Sequence, residues 1–160
     1  MKTRHDSHKS GMAGEFLVAG KLFKRGYQVA VTMGNAKAID LFVHNPHTNR
    51  TFNVQVKAVH HKNCFPMRKE AISPSDVYAF VILNDCDQDE DYFLLFGSTL
   101  LADIDRFFGS SYRGQTPSNM PAVNYGPLKD FKDNWEIFNQ QEASNQASEV
   151  TARKFAETQG

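Results

Sequence analysis

The sequence predicts an α/β domain in which a hairpin-containing β-sheet is flanked by helices. Three stretches carry this expectation. Residues 10–25 show a helical stripe, with Glu15, Val18, Ala19 and Leu22 at i, i+3, i+4 and i+7. Residues 38–58 hold two runs of alternating apolar and polar residues around the turn-rich hexapeptide NPHTNR, the pattern of an antiparallel hairpin. Residues 77–83 (VYAFVIL) form a continuous apolar run bounded by polar turns, as expected of a strand buried on both faces.

The totals bound the rest. A chain of 160 residues, 41% apolar with 13 Phe, suits one domain with a real core. The expected division is a flexible N-terminus over 1–10, a domain over 11–139 and a polar tail over 140–160. No apolar run approaches the roughly 18 residues of a membrane span, and the N-terminus MKTRHDSHKS lacks the apolar stretch of a secretory signal. The two cysteines, Cys64 and Cys86, make neither a disulfide framework nor a zinc site, which suits a cytoplasmic protein with free thiols. The net charge of zero hides a split. Residues 1–72 hold 12 Lys/Arg against 4 Asp/Glu, and residues 73–160 hold 6 against 14. Such asymmetry fits a polyanionic partner for the basic half, or two halves that attract each other.

In chain order, Ser10 can cap the first helix, and Gly26 supplies its stop. Residues 27–31 read as a strand, followed by a glycine-containing loop at 33–37 and then the hairpin. Beyond it, His60, His61, Lys62 and Asn63 are polar and cationic. The two adjacent histidines would point to opposite sides of a continuing strand, which argues against a two-His metal clamp. Lys37, Lys62, Arg68 and Lys69 can line a phosphate-facing rim or a solvated loop. The run 84–91 (NDCDQDED) is an acidic connector lacking the glycine and terminal glutamate of a calcium loop. With strand 92–97 it completes a second hairpin. Ser98 or Thr99 can cap a helix over 100–108, residues 109–126 read as a long loop, and Trp135, Ile137 and Phe138 close the core within 128–140.

The hairpin carries the candidate chemistry. If it is symmetric about its loop, Asp40 faces Gln55, and Lys57 is the diagonal neighbour on the same side. Opposed Cβ atoms then lie about 5 Å apart and diagonal ones about 7–8 Å. Asp40 is a hard oxygen ligand suited to Mg²⁺, Gln55 can offer its amide oxygen, and the carbonyl of Val56 lies near. Lys57 could orient or deprotonate an attacking water, or neutralise charge on a phosphoryl transition state. Glu15, at the edge of the sheet-facing helix stripe, is a carboxylate in need of a partner, or simply a first-turn acid favoured by the helix dipole. Spacing alone leaves two readings open: metal-assisted phosphodiester hydrolysis, or a polar sheet face with an Asp–Lys pair worth about 0–1 kcal/mol.

The stretch GEFLVAGKLFKRGYQV…AIDLFV…FNVQVKA, with Glu15, Asp40 and Gln55-Val56-Lys57, resembles the PD-(D/E)xK nuclease superfamily of restriction-endonuclease-like fold, in particular its E…D…QxK branch. The resemblance covers residues 11–62 well and extends to Phe138 by the order of elements. It implies a mixed sheet flanked by helices and an endonuclease acting on DNA with Mg²⁺ (Mn²⁺ as a substitute). By position Glu15, Asp40 and Gln55 would be metal ligands and Lys57 the catalytic lysine. Many nucleases of this kind act as homodimers. The alternative is a nuclease-fold module without chemistry that binds nucleic acid or a protein partner. Two features depart from the pattern. Asp40 follows Ala38-Ile39 rather than a proline, and Gln55 stands where a second strand carboxylate is usual, which removes one negative charge.

Overall fold

The computed structural model describes residues 4–33, 39–113 and 118–140, with side chains from Asp6 onwards. The expected tail over 140–160 and the loop containing Lys37 therefore lie almost wholly outside the described residues. Helix α1 (Arg4–Lys24) opens the chain, followed by β1 (Gln28–Val31), β2 (Leu41–Asn45) and β3 (Arg50–Val59). Then come the short β4 (Cys64–Pro66), β5 (Val77–Ile82) and β6 (Asp91–Phe96). Two short helices, α2 (Gly97–Ala102) and α3 (Ile104–Phe108), precede β7 (Ala122–Asn124), α4 (Tyr125–Leu128) and closing 3-10 turns.

The five-stranded sheet has the order β1-β2-β3-β5-β6 and is mixed: β3 and β5 run parallel, and the other neighbours antiparallel. β4 and β7 form a separate two-stranded sheet beside the crossover from β3 to β5. The mixed α/β architecture is the one expected from the sequence.

The alternating strands divide the interior in two. On one face Val54, Val56, Val77, Ala79 and Val81 pack under Val18, Ala19 and Leu22 of α1, with Trp135 and Phe138 completing the cluster. On the other, Tyr78, Phe80, Ile82, Phe93 and Leu95 pack against Phe65, Leu100, Phe107, Phe108 and Leu128. All six residues of β5 are buried, because this strand is covered on both faces.

Several local expectations are corrected. Ser10 does not cap α1; the helix begins at Arg4, and Ser10 Oγ instead donates to the Asp6 carbonyl at 2.9 Å and meets His60 Nε2 at 2.9 Å. That second contact ties the first turns of α1 to the end of β3. The helix expected over 100–108 is broken at Asp103, whose φ of −143° leaves the helical region. Its carboxylate accepts from the Arg106 N–H at 3.0 Å and caps α3 anew. Neither Ser98 nor Thr99 is the cap of α2, a position held by Phe96. The supposed long loop at 109–126 includes a 3-10 turn and β7.

Candidate metal and phosphate site

The hairpin has the register that its alternation implied: Leu41 pairs with Val54 and Asn45 with Arg50, so Asp40 stands opposite Gln55. Asn45 holds the turn. Fully buried, it accepts from the His47 N–H at 2.9 Å, and its Nδ2 donates to the Phe138 carbonyl and to Asn139 Oδ1, both at 3.0 Å. One end of the hairpin is thus locked to the closing turns. The site lies at the other end.

There the ladder gives way to side chains. The Asp40 N–H donates to the Val54 carbonyl at 3.0 Å, and its carbonyl accepts from the Thr32 N–H at 2.9 Å, so its backbone is held from both neighbours. Two residues further along β3, the Val56 N–H is taken by Asp40 Oδ2 at 2.7 Å. A carboxylate satisfies a strand donor at the point where β2 stops pairing. Asp40 is therefore pinned through one oxygen, and among the described residues no donor reaches the other.

Helix α1 reaches this point because residue 14 is glycine. A Cβ there would lie 2.7 Å from Ala58 Cβ and 3.3 Å from Val56 Cγ1. The missing side chain lets the helix settle against the C-terminal part of β3, with Glu15 as the next residue. Burial raises the proton affinity of Glu15, the Asp40 charge raises it further, and the Lys57 ammonium opposes both. Glu15 on α1 thus feels two charges far from it in sequence, Asp40 just before β2 and Lys57 on β3. Among the described residues neither Glu15 nor Lys57 is in an ion pair within 4.0 Å. The carboxylates are crowded and half-buried without a cation in direct contact, an arrangement that a divalent metal would relieve.

Gln55 is 5% exposed and hydrogen-bonded through its nitrogen alone: Nε2 donates to Asp76 Oδ2 at 3.0 Å and to the Tyr78 hydroxyl at 2.9 Å. Among the described residues no donor reaches its Oε1. Tyr78 OH also accepts from the Ser73 N–H at 3.0 Å, and burial pushes its pKa upward, so it stays neutral. Val56 contributes its side chain to the core and its N–H to Asp40. No group of three His, Cys, Asp or Glu converges among the described residues.

Of the cations expected to line a basic rim, the three described ones each have a partner within the chain. Lys62 lies 3.6 Å from Asp91, a carboxylate already held at 2.7 Å by Lys132. Arg68 donates to the Asn119 carbonyl at 3.3 Å, and Lys69 covers the Tyr112 ring at 4.5 Å. Lys37 lies outside the described residues. What sequence reasoning missed is Asp76, buried to 5% exposure in the crossover loop, and the role of Gly14. An acid directly preceding an entirely apolar strand was the available signal for Asp76.

The mixed sheet with its N-terminal helix across the hairpin defines an α/β fold. A bacterial homing endonuclease, I-Ssp6803I, shares it: TM-score 0.55, 12% sequence identity, with 92% of this chain and 99% of that chain covered. At that identity the likeness establishes the fold. The sequence matches no protein-family model and no curated protein. Among the described residues no helix is long and apolar enough to cross a membrane.

Proposed function

We propose that this chain is a divalent-metal-dependent endonuclease of the PD-(D/E)xK type that hydrolyses phosphodiester bonds in DNA. Two observations support the reading: the charges of Asp40 and Lys57 both act on Glu15, and the Asp40 carboxylate is held on the Val56 N–H at the open end of the β2–β3 hairpin. The fold shared with a homing endonuclease supports it. Glu15, the free oxygen of Asp40, Gln55 Oε1 and the Val56 carbonyl would hold Mg²⁺ or Mn²⁺. A bound ion would polarise a phosphate and make water a better acid. Asp40 is preorganised by the Val56 N–H, so its carboxylate need not reorient to bind. The Lys57 ammonium is within electrostatic reach of Glu15, where it can stabilise charge developing on a phosphate oxygen. DNA is the substrate, approached through the basic first half of the chain.

A second reading, a nuclease-fold module that binds without cutting, draws on Gln55, whose amide supplies less charge than a carboxylate would. Cleavage of plasmid and branched DNA with Mg²⁺ or Mn²⁺ separates the two, using the native chain beside Lys57→Ala and Asp40→Ala. An enzyme cuts, and each variant loses at least about 10²-fold in rate while DNA binding survives. Native protein that binds DNA yet leaves every substrate intact is the binding module.

A further inference from the structure

The usual strand carboxylate is replaced here by a glutamine, yet a carboxylate stands directly behind that glutamine. Asp76 Oδ2 accepts from Gln55 Nε2 at 3.0 Å, and Asp76 Oδ1 lies 3.4 Å from Asn53 Nδ2. Gln55 and Asp76 are each 5% exposed, so the contact is shielded from water. Asp76 is held firmly: its N–H donates to the Ser73 carbonyl at 3.3 Å, and its carbonyl accepts from the Gly97 N–H at 2.8 Å. Gly97 cannot carry a side chain, since a Cβ there would run into the Ser73 carbonyl. The Ser98 N–H closes the clamp on the Pro74 carbonyl at 2.9 Å. Loop 73–76 is thereby fastened between β5 and the start of α2, with its carboxylate aimed at the amide.

This geometry has two consequences for Gln55. A flipped amide would set its oxygen against the Asp76 carboxylate, so the nitrogen must face Asp76 and Tyr78, leaving Oε1 to a ligand. A carboxylate bound to an amide N–H also draws electron density toward the carbonyl oxygen, as outer-shell carboxylates do for metal-bound imidazoles. We infer that Asp76 is a positioning residue for the proposed metal site, orienting the Gln55 amide and supplying from behind the negative charge that glutamine lacks. The inference rests on the metal-dependent reading above. It also accounts for the glutamine: a glutamate at position 55 would face Asp76 charge to charge.

The test compares four full-length proteins: native, Asp76→Asn, Gln55→Glu, and the double variant Gln55→Glu/Asp76→Asn. Mn²⁺ binding is followed by calorimetry, and melting without metal by circular dichroism. Asp76→Asn should stay folded and bind Mn²⁺ at least about tenfold more weakly. Gln55→Glu should lower the metal-free melting temperature. The double variant should regain it and bind Mn²⁺ at least as tightly as the native chain, because the amide introduced at position 76 can donate to the carboxylate introduced at position 55. Native Mn²⁺ affinity in Asp76→Asn, or a Gln55→Glu chain as stable as the native one, overturns the role of Asp76 and leaves the nuclease reading standing. A native chain that binds no Mn²⁺ overturns both. If Asp76→Asn does not fold, the double variant decides: its recovery supports the pairing, and its failure to fold overturns it.

Discussion

Replacing Gly14 with alanine tests how the site is assembled. Carbon atoms in ordinary contact lie about 3.5–4.0 Å apart. The new Cβ would lie 2.7 Å from Ala58 Cβ, about 1 Å too close, and 3.3 Å from Val56 Cγ1. β3 cannot retreat, because it is paired with β2 on one side and β5 on the other. The helix must lift instead. Overpacking of this kind costs about 1–3 kcal/mol. Alanine's better helix propensity returns about 0.5–1 kcal/mol. Gly20, on the same helix with nothing within 4 Å of its hypothetical Cβ, isolates the second effect. Gly20→Ala should therefore stabilise by about 0.5–1 kcal/mol, whereas Gly14→Ala should fall below it by about 1–3 kcal/mol. Urea unfolding of both variants measures the difference, which corresponds to about 2–4 °C in melting temperature per kcal/mol. Adding Ala58→Gly to Gly14→Ala removes the nearest obstacle and should recover part of the loss. Displacement of Glu15 by about 1 Å should also cost about 10²-fold in any metal-dependent cleavage. A Gly14→Ala chain that gains as much stability as Gly20→Ala would refute the close approach and the argument built on it.

Two further outcomes follow from the same geometry. Glu15 holds its proton more tightly in the folded chain than in the unfolded one, chiefly through burial and then through Asp40. Its contribution is therefore fully present below the unfolded value of 4.5 and is lost as pH rises through the folded value. Glu15→Gln should raise the metal-free melting temperature at pH 7, have no such effect below the unfolded pKa, and reduce stabilisation by added Mg²⁺; equal shifts at both pH values would contradict this. Asn45→Ala leaves the Phe138 carbonyl and the turn N–H of His47 without their side-chain partner. It should destabilise by about 2–4 kcal/mol, read by chemical denaturation, and a loss under about 1 kcal/mol would show that the turn is not locked through this residue.

Short-range pattern made the hairpin readable before any coordinates. A period of two in residues 38–58 and a turn of suitable length place Asp40 opposite Gln55, because slipping by one residue would turn every apolar side chain to the wrong face. The buried stripe of Val18, Ala19 and Leu22 was legible for the same reason, and so was the all-apolar β5. Helix boundaries were less so. Ser10 has the chemistry of a cap, but the preceding residues continue the helix to Arg4, and its hydroxyl turns to His60 instead.

Local periodicity thus determined which strands pair within the hairpin, which faces are apolar, and that Asp40, Gln55 and Lys57 share one end of it. Only the tertiary structure decided that β3 runs parallel to β5, that Gly14 lets α1 settle against β3, and that Asp76 lies behind Gln55. Alternation is written in neighbouring residues, and burial enforces it. The crossover and the helix approach depend on contacts between segments whose order along the chain carries no distance information. An aspartate in a Ser-Pro-Ser-Asp loop looks solvated until the strands on either side close over it.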